Sequence, residues 1–320
     1  MKILVTGGAG FIGSHLCRSL LKQKNDVLVL DDLSTGSYRN IEDLEGGGHF
    51  RLIVDSVNNA KIVEECVKDV DQVYHLASAV GVRLIIDQPV RTLESIVGGT
   101  EAVLRACARY RRPFLVTSSS EVYGKGSKVP FNEDDDTVMG ATSTRRWSYA
   151  CAKALDEFLA LAYWVESSLP VHVVRLFNTV GPRQTGQYGM VVPSFIRSAL
   201  SGKPITVYGD GTQTRCFAHV YDVIRGLQGI MNCKEARGEV VNIGNNCEIS
   251  IMDLARKVKE LTGSKSPIEK ISYAEAYGDG FEDMMRRVPD LGKVQRLIGF
   301  KATHSLDDVI RDVIASMQDA

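Results

Sequence analysis

The chain has 320 residues, 44% of them hydrophobic and 24% charged, with a formal net charge of −1. That is room for two lobes of roughly 100–200 residues each, and the near-neutral balance speaks against a nucleic-acid binder, which carries a basic excess on one face. Seven scattered cysteines without a CxxC pair read as reduced thiols, not as disulfides or a zinc site, and no metal is expected.

The chain opens on a short apolar run, Ile3–Val5. It is shorter than the ~7–15-residue core of a secretory signal or the about 20 residues of a membrane span, so a cytoplasmic location without membrane attachment is expected. Strands are expected over Ile3–Val5, Val27–Leu30, Phe50–Val54, Val73–His75 and Phe114–Thr117, each short, rich in β-branched residues and bounded by Gly, Asp or Ser. Helical patterns fall between them, over Ile12–Leu21, Ala60–Lys68 and Leu93–Tyr110, then Tyr149–Ser167 before a strand at Val171–Leu176. This alternation predicts an α/β fold, a doubly wound parallel sheet with helices on both faces.

From about residue 181 the rhythm changes. Short strands (Thr206–Tyr208, Cys216–Val220, Glu239–Ile243) mix with helices at Pro193–Ser201, Ser250–Leu261 and Leu306–Met317. The expected organisation is a nucleotide-binding unit over 1–180, to which parts of the second half return, and a smaller α/β lobe over 181–320.

Directly after the first strand stand Gly7, Gly10, Phe11, Ile12 and Gly13, opening a helix. Glycines at these points let backbone N–H groups approach a pyrophosphate, with the helix N-terminus adding positive partial charge. The second strand ends at Asp31-Asp32, followed by Ser34, Thr35 and Gly36. A carboxylate there accepts a ribose diol and repels a 2′-phosphate, so NAD is favoured over NADP; the alternative is a solvated turn.

Tyr149 and Lys153 lie four residues apart and share one helical face. The lysine, with the positive nicotinamide, is expected to lower the phenol's pKa, so that Tyr149 takes the proton of a sugar hydroxyl. Ser119, at the end of the fifth strand in Thr117–Gly124, is placed to share that proton. The acidic run Glu133–Asp136 lacks ligand spacing and reads as a solvated loop. His75, His219 and Trp147 read as structural, Trp147 with some chance of touching substrate.

The stretches VTGGAGFIGSHL (5–16), HLASAVGV (75–82), TSSSEVYG (117–124), YACAK (149–153), RLFNTVGPRQ (175–184), VYGDGTQTRCF (207–217), VVNIGN (240–245) and RRVPD (286–290) together resemble the extended short-chain dehydrogenases/reductases that act on nucleotide sugars, over nearly the whole chain. The resemblance implies Ser119, Tyr149 and Lys153 as catalytic, with Lys153 on the nicotinamide ribose. Asp55 and Ser56 would lie at the adenine, and Leu76, Ala77 and Ser78 along the dinucleotide. Asn178, Val191, Val192, Thr206, Val207, Tyr208, Arg215 and Arg287 would line the UDP-sugar site. Arg183 is weighed equally as a contact to pyrophosphate or sugar carboxylate and as a loop residue. A homodimer through a four-helix bundle of the Leu93–Tyr110 and Tyr149–Ser167 helices is also implied. Ile96 stands where many relatives have Asn, a departure that alters packing near the cofactor.

Two reactions compete. Ser120 and Glu121, Arg146–Tyr149 and Arg287 resemble UDP-glucuronate decarboxylases. DDLSTG (31–36), HLASAVGV and the serine at 119 resemble UDP-sugar 4-epimerases, including those acting on UDP-glucuronate. The expectation is 4-epimerisation through a 4-keto sugar, with decarboxylation close behind. A non-catalytic NAD-sensing protein is the remote alternative, disfavoured by the Tyr149/Lys153 pair.

Overall fold

The computed structural model describes residues 1–78, 88–186, 190–273, 275 and 284–318; part of the HLASAVGV motif (79–82) therefore lies outside the described residues. Seven parallel strands form the central sheet in the order β3-β2-β1-β4-β5-β6-β11. They are β1 (Lys2–Thr6), β2 (Asp26–Asp31), β3 (Phe50–Val54), β4 (Gln72–His75), β5 (Phe114–Ser119), β6 (Val171–Leu176) and, from the second half, β11 (Glu239–Ile243). The inner strands are continuous apolar runs because both their faces are covered: β1, β5 and β6 are buried at nearly every position.

On one face α2 (Ala60–Lys68), α3 (Pro89–Tyr110) and α4 (Ser148–Ser167) close a core around Val63, Val103, Phe114 and Val171. On the other, α1 (Phe11–Lys22) packs beside α6 (Val220–Asn232) over Leu16, Val223, Leu227 and Ile243. α6 was not anticipated, and β11 was expected in the smaller lobe. In fact β11 pairs with β6 from Glu239↔His172 to Ile243↔Leu176, because its Val240-Val241 run can be buried only against the main sheet.

The second core joins α5 (Val191–Leu200), β8 (Ile205–Tyr208), α7 (Ile251–Leu261) and α8 (Leu306–Gln318) around Phe195, Val207, Leu254 and Ile310. Small sheets tie it together: β8 pairs with β13 (Ile268–Ile271), and β9 (Thr214–Cys216) lies between β12 (Glu248–Ser250) and β14 (Arg286–Arg287). The expected strand over Cys216–Val220 is instead the end of β9, then β10 (Ala218–His219) paired with β7 (Thr179–Val180), after which Val220 begins α6.

All seven cysteines are free. Among the described residues no helix is long and apolar enough to cross a membrane, and no group of three or more His, Cys, Asp or Glu is arranged to hold a metal ion.

Candidate active site

The sheet order reverses between β1 and β4, and a cleft of about 1130 Å³ opens there at the carboxyl ends of the strands, reaching across to the second lobe. All the sequence-predicted site residues line it except Gly36, Lys153, Arg183 and Val207.

At its floor the glycine turn leaves no room for side chains. Gly7 has φ +72°, and a Cβ there would come within 2.7 Å of Ala77 N; at Gly13 it would stand 2.1 Å from the Gly7 carbonyl oxygen. The first turn of α1 has neither a side-chain cap nor an acidic residue, so its N–H groups face the cleft uncompensated. Asp31 also organises the local backbone. It accepts from Ala9 N and Leu33 N, each at 2.9 Å, and so ties the glycine turn to the next loop. Burial raises its carboxyl above the usual range while those amides pull it back. Asp32 is more exposed and binds Ser34 N at 2.9 Å. Gly36 does not line the cleft but packs on the backbone of Ala9, 2.9 Å from a would-be Cβ. These features fit a dinucleotide whose adenosine ribose carries no 2′-phosphate.

Tyr149, at the start of α4, is buried, and its hydroxyl hydrogen-bonds the Ser119 side chain at the end of β5. Ser119 Oγ also accepts from Glu121 N at 3.2 Å, which fixes the turn. Lys153 lies behind Tyr149, outside the cleft lining, with its Nζ 2.8 Å from Asp156 Oδ2. The expectation that Lys153 lowers the phenol's pKa is half met. Burial raises the phenol, Lys153 lowers it, Glu121 and Asp156 raise it, and the protein's own groups leave it above its ordinary value. The sequence pairing missed two carboxylates that share the lysine's neighbourhood.

Glu121 is a buried carboxylate held between two arginines. It contacts both Arg146, from the short helical turn before α4, and Arg287 of β14. Burial opposes its ionisation, but the two guanidiniums outweigh it and hold the carboxyl at about 2. The Arg146 guanidinium lies 5.6 Å from the ring centroid of Trp147, which is buried and does not line the cleft.

Farther out, Thr206, Tyr208 and Arg215 edge the cleft from β8 and β9, while Val207 points into the second core. Asn178 lines the cleft with its side chain tied to Cys216 O at 2.9 Å. Arg183, with φ +68°, lies outside the lining; the charges that act on it are Arg18, Asp43 and Tyr221. Gln213 and Arg91 also line the cleft and were not foreseen; Gln213 stands within the VYGDGTQTRCF stretch, which points to it, whereas nothing around Arg91 does.

The Glu133–Asp136 run is not wholly solvated, because Glu133 turns inward and accepts from Asn242 N at 2.8 Å. His75 and His219 are structural as expected. His75 bridges Thr6 Oγ1 (2.8 Å) and Thr100 Oγ1 (3.2 Å), and burial together with Lys153 holds it down to about 3, hence neutral.

The family model for GDP-mannose 4,6 dehydratase matches residues 4–313. The UDP-N-acetyl-alpha-D-glucosaminuronate decarboxylase of Bacillus cytotoxicus is 39% identical over 314 residues, covering 98% of this chain and 96% of the relative. UDP-glucuronic acid decarboxylase 1 of Xenopus tropicalis is 37% identical over 98% of this chain and 71% of its own length. Among solved structures, the UDP-glucuronic acid 4-epimerase of Bacillus cereus in complex with UDP-glucuronic acid and NAD superposes with a TM-score of 0.89 at 31% identity, over 100% of this chain and 99% of that one.

Proposed function

Because the chain belongs to the GDP-mannose 4,6-dehydratase family of extended short-chain dehydrogenases/reductases, we propose that it uses NAD to oxidise a UDP-hexuronate at C4 and then decarboxylates the 4-keto sugar. The observation that carries this choice is the buried Arg146–Glu121–Arg287 cluster next to Tyr149 and Ser119. Two guanidiniums meet at one carboxylate beside the base, and their forked N–H donors are the groups that recognise a sugar carboxylate, which a neutral hexose does not offer. The decarboxylase relatives weigh the same way.

NAD, when bound, supplies the hydride acceptor for C4, held by the glycine turn, Asp31 and Asp32. Tyr149 Oη takes the proton of the C4 hydroxyl, with Ser119 Oγ holding the same oxygen in line. The C5–C6 bond of the resulting β-keto acid then breaks. Its electron pair passes into an enolate over C4 and C5 as carbon dioxide leaves, and C5 takes a proton from solvent water. Tyr149, now protonated, and Ser119 are the donors that stabilise the enolate oxygen. Arg287 and Arg146 hold the carboxylate before it departs, and Arg215 lies on the side of the UDP pyrophosphate.

The second reading is 4-epimerisation without loss of carbon, favoured by Ser119, by DDLSTG and by the likeness to the Bacillus cereus enzyme. Incubation with UDP-glucuronate and with UDP-N-acetylglucosaminuronate separates the two. A UDP-pentose or its 4-keto form plus carbon dioxide supports decarboxylation, and a 4-epimeric hexuronate supports the alternative.

We also propose a homodimer through α3 and α4. On α4, Leu155, Phe158 and Val165 follow helical spacing and are 49%, 68% and 78% exposed, with Val90 of α3 at 67%. An apolar stripe of this length on a soluble protein is an association surface.

A further inference from the structure

Four buried residues behind the base form a chain that the reaction as described does not use. Asp156 lies one turn after Lys153 on α4, 1% exposed, and accepts from Lys153 Nζ at 2.8 Å. Its carboxylate also interacts with the Thr100 hydroxyl of α3, which lies 3.2 Å from His75 Nε2 of β4; His75 Nδ1 reaches Thr6 Oγ1 at 2.8 Å. Ile96 of α3 packs with Tyr149 and Ala152 in an apolar cluster. A lysine in such a place has little freedom. It is 2% exposed, and its position is set by the one carboxylate it bonds.

We propose that Asp156 is a positioning residue for the catalytic base, its ion pair fixing where the Lys153 ammonium sits and how much of that charge Tyr149 feels. The inference rests on the reading of Tyr149 as the base.

The groups that face this pair from each surrounding element are few. On α4 they are Tyr149, Lys153, Asp156 and Glu157; from the turn after β5 they are Ser119 and Glu121. α3 presents Thr100 and the apolar Ile96, and β4 presents His75, which is neutral. Burial works against the Lys153 ammonium, but Asp156 first and Tyr149 next raise its pKa above the usual value. Asp156 itself is lifted by burial and pulled back by Lys153 and Thr100. Its charge opposes ionisation of Tyr149, in the same direction as Glu121 and against Lys153. Asp156 thus keeps the lysine in place and charged, yet spends part of its field. Tyr149 then becomes a strong proton acceptor only when another positive group, the nicotinamide ring, stands beside it.

The sign of the test follows. Tyr149 accepts a proton only in its ionised form, so activity rises with pH through the phenol's pKa. Removing the Asp156 charge lowers that pKa and moves the acid limb to lower pH. Asp156→Asn keeps the shape and an acceptor oxygen for Lys153. The measurement is the pH dependence of NADH formation in a single turnover with UDP-glucuronate, together with the KM for NAD. The expected result is an acid limb displaced acidward, with the KM for NAD changed by less than about threefold. A role limited to structure would scale the rate equally at every pH, and that result in folded Asp156→Asn overturns the proposal. If Asp156→Asn does not accumulate as folded protein, Asp156→Ser is read the same way. Tyr149→Phe run alongside keeps the two readings apart. Undiminished turnover in Tyr149→Phe removes the base itself, whereas an inactive Tyr149→Phe with an unmoved limb in Asp156→Asn removes only the positioning role.

Discussion

Tyr149, Glu121 and Gly13 each make a separate claim about the cleft. Tyr149→Phe removes the proton acceptor while leaving the ring's packing on Ile96, so kcat is expected to fall by roughly 10²–10⁴ with NAD affinity nearly unchanged; steady-state rates and calorimetric titration with NAD check it. Gly13→Ala places a methyl group against the Gly7 carbonyl, so NAD binding by the same titration should be lost even where the fold survives. For Glu121 the prediction concerns stability. Its carboxyl lies at about 2 in the fold against 4.5 ordinarily, because Arg287 and Arg146 override burial. The stabilisation is therefore fully present above about pH 4.5 and is lost as pH falls toward 2; it is on the order of 3 kcal/mol. Thermal melts between pH 6 and 3 should show Glu121→Gln less stable at pH 6 and flatter on acidification than the unsubstituted protein. The glycine turn was legible because its spacing is local and its place after a first strand is unambiguous. The Glu121 cluster was legible only as a likeness, since Arg146 and Arg287 stand 25 and 166 positions beyond it. The Lys153–Asp156 contact was in plain view at i, i+3, but nothing in the sequence says that this turn of the helix is buried. The expectation paired Lys153 with the positive nicotinamide; burial and the carboxylates of Glu121 and Asp156 oppose the lysine, so the protein's own groups leave the phenol above its ordinary value.

At the scale of elements, the first half was readable because each strand there is a short apolar run with an amphipathic helix after it. The second half misled for a physical reason. α6 carries Val220, Val223, Ile224, Leu227 and Ile230 at helical spacing, yet it starts directly after a two-residue strand, so its first residues read as a strand continuing from Cys216. Glu239–Ile243 was correctly read as a strand, but periodicity cannot say which sheet a strand joins; the neighbour of β6 is chosen by what remains to be covered on the sheet edge. α4 offers the sharpest test at this scale. Its inner face holds Tyr149, Lys153 and Asp156, and its outer face exposes Leu155, Phe158 and Val165. Phe158→Glu is expected to convert a dimer to monomers in sedimentation velocity at micromolar concentration, while a monomer without the substitution would contradict the proposed assembly.

The whole molecule brings two separately cored lobes against one cleft, and the chemistry needs both. The sheet supplies the dinucleotide floor, Ser119 and Tyr149; the second lobe supplies Arg215 and Arg287, which would hold the pyrophosphate and the sugar carboxylate. In the proposed reaction, which bond breaks after oxidation at C4 would depend on what Arg287, Arg146 and Glu121 hold against the sugar, a relation across lobes that no single stretch of sequence spells out. The deciding measurement is therefore product analysis with UDP-hexuronates labelled with ¹³C at C6, in the presence of NAD. The account predicts labelled carbon dioxide and a UDP-pentose or UDP-4-keto-pentose, with release abolished in Glu121→Gln or Arg287→Ala. A labelled six-carbon product inverted at C4, with no carbon dioxide, contradicts it.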